Sequence, residues 1–433
     1  MNPNAPYPRP WLAQYARGMP HRIEPAPSSL TALLAETVAH YPDHTFLDFF
    51  GRQTSYREAA ALIDRAAAGF RRLGVQRNTS VALCLPNTPA SVLSYFAVLQ
   101  AGGTVVNLNP LAPERQLVWQ IKDAAAEIAV TVDLLPIHVR IVGALNKTPL
   151  RHVVVCHMTD MLPFPRNLAF RLREHAHLAK PPADERVLDF ATLSSLAEPT
   201  AGQPEPQADI AVIQYTGGTT GEPKGAQLSH ANLCANVAQL RAWFTQAAPG
   251  NERLLGALPF FHCFGMTAVV NFAVALGGEL VILPRFRPVE TLRAIEQRRI
   301  TLLVGVPALF RALLDCPAAA RTDFASLKVC VSGGDALPLD LAQRFVALTG
   351  APLAEGYGLT ECSPVVTCSN PLEGIERPGS SGLPLPGTDI AIMAPEPPHA
   401  MLPANEIGEI CVRGPQVMRG YCNQAQATRE VLY

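Results

Sequence analysis

Apolar positions recur along this chain in two periods, and the alternation between them predicts its organisation. From Ser29 the stretch SLTALLAETVAHY repeats at helical spacing. Ser55 to Glu58 (SYRE) has the spacing of a capping box and opens a helix that runs to about residue 73. Short strand-like runs lie at 46–50, 80–85, 104–108 and 127–132, with helical patterns at 90–100 and 114–125. The breaks fall at Pro86-Asn87, Gly102-Gly103 and Asn109-Pro110. This β-α-β-α-β rhythm predicts a parallel, doubly wound sheet. Another strand-like run, RHVVVCH at 151–157, follows before the pattern loosens. A second alternating run places strands at 254–258, 279–283, 301–304, 328–332 and 352–355, and helices at 266–276, 289–297 and 339–348. From about Pro371 the character changes to short strands and turns (389–393, 409–413), which reads as a small β-rich subdomain. The segments are then a proline-rich arm (1–27), a first α/β region (28–208) ending in a Pro/Ala/Gln linker (197–208), a second α/β region (209–370) and the β-rich part (371–433).

One segment of the first region, 163–180, has a character of its own. Leu168, Leu172, Ala176 and Ala179 fall on one helical face, and Arg166, Arg171, Arg173 and Lys180 surround it. An ordinary solvated helix packed on the domain is the commoner meaning of such a pattern. The other is peripheral contact with an anionic membrane surface.

Composition narrows the classes. The chain has 433 residues with 48% hydrophobic content, enough for a large core. Its net charge of −1 gives no global field for nucleic acid. The ten cysteines include no C-x-x-C pair, and Cys84, Cys156 and Cys330 sit in apolar strand-like runs, as reduced core thiols of a cytosolic protein do. The N-terminus (MNPNAPYPRPW) lacks the layout of a secretory signal, and no apolar run reaches the ~18 residues of a spanning helix. A cytoplasmic protein is expected, with contact at the inner membrane left open by the basic segment, and homodimerisation left open as well.

The candidate chemistry centres on Tyr215 to Gly225, YTGGTTGEPKG. Its glycines let backbone N–H groups approach a ligand, its threonines add donors and Lys224 adds a positive charge, which together describe a cradle for a polyphosphate. A strand-like run at 209–214 precedes it and a helical pattern capped by Ser229 follows, so strand, loop, helix is expected. The order of residues is not a Walker A loop, because Pro223 precedes the lysine and Gly225 follows it.

Four further clusters follow in order: LPFFHCFG from Leu258, SGGDAL from Ser332, GYGLTECS from Gly356 and GEICVRGPQVMRGY from Gly408. This ordered set resembles the adenylate-forming superfamily over nearly the whole chain, and is most similar to bacterial long-chain fatty acyl-CoA ligases. The resemblance and the pattern together imply an α/β fold of two doubly wound, mostly parallel sheet subdomains packed together, plus a small distorted β-barrel. The resemblance further implies ATP, magnesium and coenzyme A as ligands. A carboxylic acid is first joined to the α-phosphorus of ATP, and the acyl group then passes to the coenzyme A thiol. It assigns Thr216, Gly217, Gly218, Thr219, Thr220, Gly221 and Lys224 to the β- and γ-phosphates, Glu361 to magnesium, and Thr360 to the α-phosphate. Tyr357 would lie against the adenine, with Gly333, Gly334 and Asp335 on the other side and Glu355, Gly356 and Gly358 flanking. His262 would stand near the carboxylate. Taken singly, Gly333-Gly334 also suits a strand-to-helix turn, Tyr357 a core, His262 a structural hydrogen bond, and Glu361 a helix N-terminus.

Two departures from the family pattern stand out. The chain stops at Tyr433, before the family's Thr-Gly-Asp turn and the small domain that brings a catalytic lysine, so a truncated, weakly catalytic core is expected. Asp335 in GGDAL adds a charge without an assigned role. The substrate is expected to lack an amine, because Cys263, Phe264, Gly265 and Met266 put no carboxylate after the aromatic motif. Segments 304–310, 262–267 and 363–367 are apolar with small residues, as an alkyl chain requires. An acyl-AMP ligase serving a carrier protein, an aryl-CoA ligase and a non-catalytic nucleotide or fatty-acid binding module are the alternatives.

Overall fold

Two of the expected helices in the first region begin where the sequence places them. In the computed structural model, Ser29 caps Leu30–His40 by accepting from the Ala32 N–H at 3.0 Å. Ser55 caps Tyr56–Arg72, accepting from the Glu58 N–H at 3.2 Å while Glu58 Oε2 accepts from the Ser55 N–H at 2.8 Å. The structure describes residues 9–23, 29–180, 184–195, 209–217, 223–370, 379–396 and 400–432. The linker at 197–208, most of the arm's ends and Gly218, Thr219, Thr220 and Gly221 of the candidate loop lie outside the described residues.

The strands, in chain order, are β1 (Thr45–Phe49), β2 (Arg52–Ser55), β3 (Ser80–Leu83), β4 (Thr104–Asn107), β5 (Ile128–Val132), β6 (His152–Cys156) and β7 (Val187–Asp189). The middle of the chain adds β8 (Ile210–Tyr215), β9 (Gly225–Ser229), β10 (Arg253–Gly256), β11 (Glu279–Ile282), β12 (Leu302–Gly305), β13 (Val329–Gly333), β14 (Leu353–Gly358) and β15 (Val365–Cys368). The last are β16 (Leu383–Pro384), β17 (Asp389–Met393), β18 (Glu409–Arg413) and β19 (Gly420–Tyr421). They form an eight-stranded sheet ordered β19-β9-β8-β4-β3-β5-β6-β7 and a nine-stranded sheet ordered β16-β15-β14-β13-β12-β10-β11-β1-β2. Both are parallel at their centres, with antiparallel pairs towards edges. Every residue of β3, β4 and β5 is buried, as strands covered on both faces must be.

Sheet membership does not follow chain order. β1 and β2 cross to the second sheet, while β8, β9 and β19 belong to the first. The short strands near the C-terminus give a two-stranded antiparallel sheet, β17-β18, and edge strands for both large sheets. None of the ten cysteines is in a disulfide, and Cys84, Cys156 and Cys330 are buried. No helix among the described residues is long and apolar enough to cross a membrane.

Three features differ from the sequence expectation. Helices Leu135–Ala144 and Pro307–Leu314 appear where none is predicted; both start on a proline turn without a side-chain cap, so the usual start signal is missing. The candidate phosphate loop is not followed directly by a helix. Its described ends lead out of β8 and into β9, which pair as an antiparallel hairpin, and the helix His230–Trp243 begins only after β9. The helix Arg166–Glu174 buries none of its residues, and its leucine stripe faces outward.

Candidate active site

A cavity of about 520 Å³ opens at the carboxyl ends of β12, β13 and β14. Crevices at that edge of a parallel sheet are the usual ligand positions in α/β folds. His262, Gly333, Gly334, Gly356, Tyr357, Gly358, Thr360 and Glu361 all line it. Thr216, Gly217, Lys224, Asp335 and Glu355 do not line it.

Backbone close approach shapes the polar end. Gly334 has φ +80°, the left-handed region. A Cβ on Gly358 would fall 2.1 Å from the Pro364 carbonyl oxygen, so only glycine lets the chain fold back there. That fold-back puts Thr360 and Glu361 on a short turn, Thr360–Cys362, at the cavity mouth. Tyr357 sits on the rim, 37% exposed, and partial burial pushes its phenol above the usual value. Glu355 lies beneath the GGDAL turn, where one oxygen accepts from the Leu337 N–H at 3.1 Å; burial raises its pKa. Asp335 is exposed and accepts from the Ala336 N–H at 2.8 Å.

The β8–β9 hairpin and the acidic turn come from different sheets, and one side chain joins them. The hairpin mouth is closed by the Thr216 N–H donating to the Lys224 carbonyl at 2.9 Å. The Lys224 ammonium lies 5.1 Å from the centre of the Tyr421 ring. The Tyr421 hydroxyl donates to Glu361 Oε1 at 2.6 Å, and burial together with that carboxylate pushes its pKa up. The Met418 N–H donates to the Glu361 carbonyl at 2.7 Å, and the Cys422 N–H to that of Gly225 at 2.8 Å, so the segment of Tyr421 is laced to both. Tyr421 closes the GEICVRGPQVMRGY motif, yet nothing local in that string announces a partner two hundred residues away.

A second link escapes sequence reading for the same reason. Gln214, at the end of the strand that leads into the hairpin, donates to the Phe261 carbonyl at 2.9 Å, and its own oxygen accepts from Asn107 at 3.1 Å. Asn87 holds the same aromatic loop by donating to the Leu258 carbonyl at 2.7 Å and accepting from the Phe260 N–H at 2.8 Å. His262 follows directly. Its Nδ1 accepts from the Phe264 N–H at 3.3 Å, and desolvation lowers its pKa, so the ring is neutral at pH 7.

Away from the mouth the cavity is apolar. Val304, Val306 and Val365 come from the segments expected to line it, but Leu309 and Phe310 pack into a separate core. Leu240 and Phe244, around the end of the helix His230–Trp243, and Phe272 complete the wall. Residues Met266–Asn271 form a π-helical stretch, which sets Ala268 against the cavity. Such stretches cluster at functional sites.

The sequence profile of the AMP-binding enzyme family matches residues 34–422. The chain belongs to that family. It is 38% identical to the long-chain-fatty-acid–CoA ligase of Bacillus subtilis, over 98% of this chain and 76% of the relative. Among solved structures it resembles the ATP-bound MatB of Rhodopseudomonas palustris, with 27% identity, a TM-score of 0.77, and coverage of 93% of this chain and 73% of that one. It shares its fold with the long-chain-fatty-acid-CoA ligase of Archaeoglobus fulgidus, at a TM-score of 0.82 and 23% identity, over 96% of this chain and 80% of the other. In this member the hairpin and the turn are bridged by Tyr421, and the turn borders the apolar cavity.

Proposed function

We propose that this chain activates a fatty carboxylic acid with ATP and that the acyl group then passes to the thiol of coenzyme A. A carboxylate oxygen bonds to the α-phosphorus while the bond to the bridging oxygen breaks and pyrophosphate leaves. In the second step the thiolate sulfur bonds to the acyl carbon and AMP leaves. The observation that carries this reading is the shape of one cavity, polar with Thr360 and Glu361 at its mouth and walled by Leu240, Phe244 and Phe272 within.

In this reading the hairpin, with Thr216, Gly217 and Lys224, holds the β- and γ-phosphates, while Thr360 donates to the α-phosphate. Tyr357 lies against the adenine over Gly333 and Gly334. Glu361 fits a magnesium ion, a hard cation usually bound by one or two carboxylates together with substrate phosphates. When bound, that ion neutralises phosphate charge. The protein's own part is to align the acid in line with the α-phosphorus and to exclude water. A medium- to long-chain acid suits the apolar wall, since each buried CH₂ contributes about 0.8 kcal/mol.

The test is pyrophosphate release by the intact protein with ATP and magnesium, using octanoate, palmitate or ferulate, with and without coenzyme A. Release with the two fatty acids, and thioester only with coenzyme A, is the expected result. Release with ferulate alone would replace the fatty acid by an aromatic one. An adenylate that forms but never reaches coenzyme A would point to a carrier-protein acceptor. Nucleotide binding with no release for any acid would leave a binding module.

A further inference from the structure

The helix Arg166–Glu174 carries its apolar stripe on the side away from the protein. Leu168 is 50% and Leu172 83% exposed, and Phe164 just before it is 77% exposed. Its other side carries Arg166, Ala169, Phe170 and Arg173 at i, i+3, i+4 and i+7, with Phe170 set against the core. Those four residues form one wall of a groove of about 700 Å³. Its floor is the end of β11 with Asp48 and Phe50, and its far wall is the helix Pro288–Gln297 with the loop before it.

Six arginines line this groove: Arg166, Arg173, Arg285, Arg287, Arg293 and Arg298. Three carboxylates face them, and each has a partner. Asp48 pairs with Arg298 at 3.4 Å and Glu290 with Arg287 at 3.1 Å, while Glu174 lies 3.2 Å from His177, a pair that is ionic only when the histidine is protonated. Arg166 donates to the Phe50 carbonyl at 3.0 Å. Arg173, Arg285 and Arg293 have no hydrogen-bond or ion-pair partner among the described residues. The whole chain has a net charge of −1, so this concentration is local. Like charges in one concavity repel, and an anion seated among them removes that cost. Guanidinium forks match phosphate oxygens in geometry.

We propose that this groove binds a phosphate-bearing anion. No residue lines both it and the nucleotide cavity, so it is a second site. The phosphate is either free in solution or the headgroup of an anionic lipid, against which Phe164, Leu168 and Leu172 would rest.

The experiment uses the intact protein and its Arg173→Ser/Arg285→Ser/Arg293→Ser variant, whose changes are exposed and whose melting temperature is checked first. One arm sediments phosphatidylcholine vesicles with and without one-third phosphatidylglycerol. The other titrates inorganic phosphate in a Lys224→Ala background, so that the hairpin lysine does not contribute. Each arginine near an anionic surface is worth about a factor of five in partition, so the triple variant should bind phosphatidylglycerol vesicles roughly 100-fold more weakly. Phosphate binding lost in the triple variant, with vesicles ignored by both proteins, would support the site and identify its ligand as free phosphate. Equal binding of both proteins to both probes would overturn it. So would a wild-type protein that binds neither, or vesicle binding that survives in the triple variant and disappears in Leu168→Ser/Leu172→Ser.

Discussion

The two ends of the main cavity are walled by different materials. At the mouth, Gly333, Gly334, Gly356 and Gly358 present backbone, and the ionisable groups stand on turns between strands. In the interior, Leu240, Phe244, Ala268 and Phe272 present side chains from helical segments. A wall made of backbone has no smaller or larger version of itself, so its geometry is fixed. A wall made of side chains can be resized one residue at a time. The mouth therefore suits the constant part of a reaction, a nucleotide, and the interior suits the variable part, an acid.

The largest effect should come from removing charge at the mouth. Glu361→Ala should cut acid-dependent pyrophosphate release by about 10²–10³-fold, the range seen when one preorganised electrostatic contact is lost. The fold should survive, because the Glu361 carbonyl, not its side chain, takes the Met418 N–H. An unchanged rate would remove Glu361 from the chemistry. Next comes the backbone itself. Gly358→Ala puts a methyl group 2.1 Å from the Pro364 carbonyl and should destabilise the protein by about 1–3 kcal/mol, read as a lower melting temperature together with weaker nucleotide binding. A normal melt would show that the mouth yields, and the contrast between the two ends would fail.

Those two ends also differ in how far they can be read from the sequence. The mouth is legible because its residues are contiguous: SGGDAL and GYGLTECS each hold a turn together with the groups on it. The alternation of strand and helix is legible for a similar reason, since periodicity is local. The interior is assembled from a helix and a strand about ninety residues apart, by way of Leu240 and Val331, which look like any buried leucine or valine. The same holds for Tyr421 and Gln214, whose partners become neighbours only when β19, β9 and β8 align at one edge. The hairpin itself is half legible: its glycines are plain, but β9 is short and runs directly into the Ser229 cap, so the strand is masked by the helix signal.

The interior should respond to size rather than fail. Ala268→Phe fills space in the wall, and each methylene of the acid it displaces should cost about 0.8 kcal/mol, or roughly fourfold. KM for palmitate should rise while that for octanoate stays near the wild-type value. Equal loss for both acids would mean that Ala268 borders the reacting carboxylate instead. A smaller change is expected where the phosphate hairpin meets the mouth. Tyr421→Phe removes the 2.6 Å hydrogen bond to Glu361 and leaves the ring under Lys224. The magnesium concentration for half-maximal rate should rise about fivefold, with KM for the acid unmoved. If the acid's KM moves and the magnesium response does not, Tyr421 serves the interior and not the turn.

The smallest effect concerns His262, which lies on the boundary between the two ends. Desolvation holds its pKa below the ordinary imidazole value, and its Nδ1 is occupied by the Phe264 N–H. Protonation costs that hydrogen bond and is opposed by desolvation, so the neutral ring is the folded state's form at pH 7. A depressed folded pKa means that the unfolded chain takes up a proton first as pH falls. Stability associated with His262 is therefore complete above about pH 6.5 and declines below it. If the neutral ring is also what the reaction needs, kcat/KM for the acid should stay flat down through pH 6.5 and fall only below that, and His262→Gln should abolish the acid limb while leaving the plateau within a few-fold. The side chain is exposed at the cavity mouth, so a limb centred at 6.5 or above would show that solvent there outweighs the desolvation and that His262 titrates with the open mouth.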